Sequence, residues 1–172
     1  MDINEYRARV KLLADLRNGG AIFNGSEEHA AVIVENLFRV AKKNVRILSG
    51  DLDARVYGNA HVIQRAQEFL GYSDHRLEIL VEKDAFSPSH PFLRSILPND
   101  NVSVRVLNPD LSEDLSYHFM TADQDCYRFE EVKGSHKAIA SWGDDAAEHL
   151  VGIFDEIAPF STELDFALAE AH

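Results

Sequence analysis

Apolar positions along the chain recur first at helical spacing and then at strand spacing, and each change of period marks an element. Tyr6, Val10 and Leu13 share one face of a first helix, with Asp2 placed to cap it and Glu5 three residues on. Gly19-Gly20 stops it, and its basic residues, Arg7, Arg9, Lys11 and Arg17, read as a solvated face. Ala21-Ile22-Phe23 forms a short strand. Ser26 then caps a second helix whose Glu27 and Glu28 suit the helix dipole. Ile33, Leu37, Val40 and Ala41 are its buried stripe, and it ends near Lys43. The β-branched run VRILS, Val45 to Ser49, suits a buried strand.

The polar loop GDLDARVYGN, Gly50 to Asn59, leads into a third helix to Leu70, burying Val62, Ile63, Ala66, Phe69 and Leu70, with Gly71 as its stop. Leu77 to Val81 reads as a strand. Pro91 is placed as the first residue of a short helix, Pro91 to Leu97, which Pro98 closes. Val102, Val104 and Val106 alternate as in a half-buried strand. The pattern then changes. YHFMTA, YRFEEV and KAIASW read as three successive strands with turns near Asp123–Asp125 and Lys133–Ser135. Asp144 or Asp145 caps a closing helix carrying Leu150, Phe154 and Ile157, broken at Pro159, and Ser161 opens an acidic turn. This order, βαβαβαβ followed by strands and a helix, predicts an α/β layered domain whose mostly parallel central sheet is extended by antiparallel strands.

Composition narrows the functions open to such a domain. The 172 residues suit one domain: a helix over 1–19, a core over 20–161 and an acidic tail over 162–172. Lys and Arg number 17 against 29 Asp and Glu, a net charge of −12 that disfavours nucleic acid and anionic membrane surfaces. Cys126 is the single cysteine, so no intramolecular disulfide forms. MDINEYRARV does not read as a signal peptide, and no stretch reads as a membrane span, so a cytoplasmic protein is expected.

Candidate chemistry is sparse. There is no glycine-rich phosphate loop. None of the eight histidines stands at ligand spacing from another or from Cys126, and His118, His136 and His149 could meet only through the fold, so no metal and no cofactor are expected. Asp51, Asp53 and Arg55 directly follow a core strand, where open α/β sheets place ligand groups, although a turn rich in capping residues accounts for them more simply. SYHFMTAD, Ser116 to Asp123, offers His118 as nucleophile or base and Asp123 to orient it. The nearest cations in sequence are Arg128, Lys133 and Lys137.

The order of elements and several local phrases resemble one half of a phospholipase D-like domain. In that superfamily a strand carries H-x-K-x-x-x-x-D, in which the histidine is the nucleophile, the lysine binds phosphate and the aspartate orients the site. Two such motifs, from two halves of a chain or from two subunits, make one active centre. Aligned on Asp123, Ser116 takes the histidine position and His118 the lysine position. In ASWGDD, Ala140 to Asp145, Ser141 takes the serine and Asp144 the asparagine of the polar turn that follows. FDEIAPFS, Phe154 to Ser161, resembles the phrase F-D-x-x-W-x-x-S that ends many such domains. Starting the motif at His118 instead puts Met120 at the lysine position and leaves Asp123 two residues early. The run from LSGDLDARVYGNAHVIQRAQEFL to RLEILVEKD resembles a small bacterial group of unassigned role.

The resemblance covers residues 20 to 161 and implies a mixed sheet of about seven strands with helices on both faces. It also implies a homodimer. With the nucleophile and the phosphate-binding lysine both replaced, it implies a non-catalytic module that binds a protein partner as a regulatory or scaffolding subunit of a bacterial system. Ser116, His118, Asp123, Ser141 and Asp144 are then the binding residues. The alternative is a divergent phosphodiesterase or nuclease using His118 and Asp123 from two subunits.

Overall fold

The computed structural model describes residues 1–166 of the chain, and within them eight strands form one mixed sheet. The first helix, α1 (Ile3–Leu16), starts where Asp2 Oδ1 accepts from the Glu5 amide at 2.9 Å, and it buries Tyr6, Val10 and Ala14. It ends at Arg17, which adopts a left-handed φ of 48°. Strand β1 (Ala21–Asn24) and helix α2 (Glu27–Val40) follow, with Ser26 Oγ accepting from the His29 amide. Almost every residue in the middle of α2 is buried, which makes it the central helix of the larger core.

Next come β2 (Asn44–Ser49), α3 (Ala60–Leu70), β3 (Arg76–Val81), α4 (Pro91–Ile96) and β4 (Val102–Leu107). Asn59 and His90 cap the two helices through their side chains. Then α5 (Pro109–Asp114) leads to β5 (His118–Ala122), β6 (Cys126–Glu130) and β7 (Ala138–Trp142). The described chain closes with α6 (Ala146–Ile157), a 3₁₀ turn (Ala158–Phe160) and β8 (Ser161–Glu163).

The sheet order is β1-β7-β6-β5-β2-β3-β4-β8. β2–β3 and β3–β4 are parallel and the pairings around them antiparallel, so the sheet has the expected parallel centre extended by antiparallel strands, with a centre narrower than the βαβαβαβ order predicts. The cause is β1. Its sequence reads as the first strand of a βαβ unit, yet it pairs antiparallel with β7 at the far edge, Phe23 opposite Ile139. Two further differences come from short elements. Helix α5 spans six residues to which the sequence pattern assigns no element, and Ser161 opens a three-residue strand against β4 rather than a turn. A lone edge strand that short carries no periodicity of its own.

Helices cover both faces. α1, α2 and α3 pack over the larger cluster, while α6 lays Leu150, Phe154 and Ile157 on Leu48, Leu80, Leu107 and Phe119 of the other face. The basic face expected on α1 is also corrected. Arg7 pairs with Glu35 of α2, and Arg17 turns inward to Asp123 and Asp125, while Lys11 stays on the surface with Asp15. Residues 1–19 thus pack on the core of their own chain. Of the expected tail, 162 and 163 lie in β8, and 167–172 fall outside the described residues. Among the described residues no helix is long and apolar enough to cross a membrane.

Candidate ligand site

The parallel strands β2 and β3 end side by side, and β5 begins against β2 with Phe119 opposite Leu48. Carboxyl ends of strands are where open sheets collect ligand groups, and a cavity of about 410 Å³ opens there. Its wall takes residues from the loops after β2 and β3, from the start of β5, the end of β6 and the β6–β7 loop.

His118 sits at the centre of this wall. Its Nε2 lies 3.0 Å from Glu82 Oε1, and its Nδ1 lies 3.9 Å from Glu130 Oε1, Glu130 being its cross-strand neighbour on β6. A carboxylate only accepts at neutral pH, so the contact with Glu82 places the proton on Nε2. Lys133 reaches the same Glu82 from the β6–β7 loop, donating to both oxygens at 3.2 Å and to the Ser112 carbonyl at 3.0 Å. Burial pushes the Glu82 carboxyl up, but the hydrogen bonds and charges of His118 and Lys133 outweigh it and hold the group below the usual range. Gly50 gives His118 its room: a Cβ there would stand 3.3 Å from the imidazole Cε1.

A second cluster faces the same cavity. His136 Nε2 lies 3.3 Å from Asp53 Oδ2, and Arg55 grips Asp53 through Nη2 at 2.7 Å. Deeper in, Arg128 donates from Nε to Asn24 Oδ1 at 3.1 Å and from Nη2 to Glu130 Oε2 at 3.4 Å. Among the described residues no three His, Cys, Asp or Glu side chains are arranged to hold a metal ion. Burial pushes the Cys126 thiol up to about 12, so it is no nucleophile.

Of the five residues the motif alignment singles out, only His118 borders the cavity. Ser116 is exposed, and its carbonyl accepts from the Lys133 amide at 3.1 Å. Asp123 stands at the other end of β5, roughly 16 Å along the strand at ~3.3 Å per residue. There it accepts from Arg17 Nη2 at 2.9 Å and from the amides of Lys42, Lys43 and Asn44. Ser141 is buried on β7, donating to the Gly20 carbonyl at 3.1 Å, and Asp144 Oδ1 accepts from the Ala146 amide at 2.9 Å where α6 begins. The polar turn that does border the cavity is the β6–β7 loop, through Lys133, Gly134 and His136.

Asp51, Asp53 and Arg55, read from their place after a core strand, do reach the wall, and His136 joins His118 there while His149 lies exposed on α6. Glu82 and Lys83, which the sequence reading passed over, follow β3 in the same way; the strand-end rule would have found them.

No family model matches the chain, and no curated protein matches it. Solved structures do. NucT from Helicobacter pylori superposes with a TM-score of 0.62 at 6% identity, over 85% of this chain and 98% of that one. A phospholipase D family member, Nuc from Salmonella typhimurium, gives a TM-score of 0.59 at 10% identity over the same shares of the two chains. The chain has the phospholipase D-like fold. TrmBL2, an archaeal chromatin protein, shares the arrangement with a TM-score of 0.60 at 9% identity, over 93% of this chain and 61% of its own. Within a phospholipase D-like fold, then, this cavity is built from paired charges around His118 and His136.

Proposed function

We propose that the chain is a phospholipase D-like module that binds a ligand or partner without cleaving phosphodiesters, as a regulatory or scaffolding subunit of a bacterial system. The charge balance of the cavity carries this reading. Four carboxylates, Asp51, Asp53, Glu82 and Glu130, face four cations, Arg55, Lys83, Arg128 and Lys133. Each cation has its own partner: Lys83–Asp51 at 3.3 Å, Arg55–Asp53 at 2.7 Å, Lys133–Glu82 at 3.2 Å and Arg128–Glu130 at 3.4 Å. Phosphoryl transfer needs cationic charge free to meet the developing oxyanions, and losing one such donor elsewhere lowers rates by about 10²–10³. Incubation with a bis-aryl phosphodiester and with single- and double-stranded DNA tests the reading. We expect no product above buffer; turnover that disappears in His118→Ala overturns it.

The second reading, a divergent phosphodiesterase with a site shared across a dimer, is favoured by two histidines bordering one cavity. Asp123 would then act from outside that cavity, holding β5 rather than touching substrate.

The assembly proposed is a homodimer, alongside a protein partner. Its support is a row of apolar side chains, Phe23, Ile139 and Phe129, that align in register across β1, β7 and β6, with Ile139 and Phe129 half-buried. Phe23 is 74% exposed there. Nucleic acid is a poor partner for a chain of net charge −12. The free, buried Cys126 accords with a cytoplasmic setting.

A further inference from the structure

The floor of the cavity carries two polar groups that the protein leaves unanswered. Arg128 is 6% exposed and is fixed at three points, by Asn24 Oδ1, by Glu130 Oε2 and, through Nη2 at 3.2 Å, by the His136 carbonyl. Its Nη1 has no partner among the described residues, yet the side chain borders the cavity. Tyr57 is 7% exposed and packs against Phe92 with ring centroids 5.3 Å apart. It borders the same cavity, and its hydroxyl too lacks a hydrogen-bond partner among the described residues. Burial pushes the Tyr57 phenol up to about 12, against the pull of the nearby Arg128 charge, so it remains a donor at neutral pH.

Neither Arg128 Nη1 nor the Tyr57 hydroxyl is among the fully buried side-chain polar atoms that lack a partner, so both open to the cavity, where water or a bound ligand can accept from them. Here both border the same cavity and are restrained from turning elsewhere, Arg128 by its three bonds and Tyr57 by its packing. They suit a ligand that accepts hydrogen bonds and displaces that water. The surroundings limit how much charge that ligand carries: with four carboxylates matched to four cations, the wall has no surplus for a polyanion. A dianion would bring twice the charge to Glu82 and Glu130, whereas a single carboxylate can take one hydrogen bond from each of the two free donors.

We propose that the floor of this cavity is a subsite for a small monocarboxylate, held by Arg128 Nη1 and the Tyr57 hydroxyl. The proposal rests on the binding-module reading above and names the chemistry of what is bound.

Calorimetric titration of the full chain with acetate, lactate and inorganic phosphate at pH 7 tests it, with NMR shifts of the Tyr57 ring as the second readout. Saturable binding of at least one carboxylate is expected, weakened tenfold or more in both Tyr57→Phe and Arg128→Lys, with phosphate weaker than the carboxylate. Tyr57→Phe keeps the ring that packs on Phe92, so it decides the matter should Arg128→Lys fail to fold. Absence of saturable carboxylate binding overturns the proposal. So does binding unchanged in Tyr57→Phe, or tighter binding of phosphate. Phosphodiester turnover would sink the non-catalytic reading by itself, and the titration would still decide the subsite.

Discussion

Asp123 Oδ2 and Arg17 Nη2 meet at 2.9 Å, joining the end of the first helix to the end of β5, 106 residues later. The carboxylate also collects the amides of Lys42, Lys43 and Asn44, so one side chain ties α1, the α2–β2 turn and β5 together. The aspartate that most resembles a catalytic element in the sequence thus serves the framework in the fold.

Asp123→Asn is therefore expected to cost stability and not binding. Charge-assisted hydrogen bonds contribute about 1.5–3 kcal/mol each, and the amide keeps part of the network, so we expect a loss of about 2–3 kcal/mol in urea unfolding at pH 7. Burial raises the Asp123 carboxyl, but the bonds from Arg17 and the three amides outweigh it and leave it below the ordinary range. A depressed folded value means a contribution complete above the unfolded value of about 3.9 and lost as pH falls through the folded one. The gap between wild type and Asp123→Asn should close in acid; a constant gap down to pH 2 would count against this role.

Gly143 makes the adjoining contact possible. Its φ is +82°, and a Cβ there would sit 2.1 Å from the Arg17 carbonyl oxygen. Gly143→Ala should destabilise by about 2 kcal/mol or more from left-handed strain and the backbone clash. Thermal unfolding measures it, and a midpoint unchanged from wild type would contradict the close approach.

Around His118 the prediction is spectroscopic. Neutral His118 should occupy the Nε2–H tautomer because Glu82 accepts there at 3.0 Å. Long-range ¹H–¹⁵N correlation spectra report the tautomer directly. Glu82→Gln should weaken that preference and loosen Lys133, whereas an Nδ1–H signal in the wild type would refute the arrangement.

Restoring the motif letters should not restore chemistry. In Ser116→His/His118→Lys, the new lysine would face Glu82 and Glu130 and be neutralised, and the new histidine would stand on an exposed residue outside the cavity. The expected result is a folded protein with no phosphodiester turnover. Measurable hydrolysis by the double variant would show that the cavity still admits a phosphate.

The apolar row that ends at the exposed Phe23 predicts the assembly. Phe23→Asp should shift sedimentation from dimer to monomer with little effect on unfolding, since the side chain is already in solvent. A wild type that sediments as a monomer over a wide concentration range would remove the homodimer from the proposal.

Much of the framework was legible along the chain because its causes are local. Asp2, Ser26 and Asn59 cap helices within three residues of themselves. VRILS and the three late strands show their burial in composition, and Gly71 ends α3 as its position suggests. Tertiary structure alone decided where β1 pairs, because a four-residue strand carries no record of its neighbour, and Ala138–Ser141 lies more than a hundred residues away. It also decided the site. Glu82 reaches His118 across 36 residues, Arg128 reaches Asn24 across 104, and Tyr57 borders the same cavity from the loop after β2. Helix caps act over one turn of backbone, so sequence proximity reveals them; the cavity gathers side chains that only sheet order brings within hydrogen-bond range.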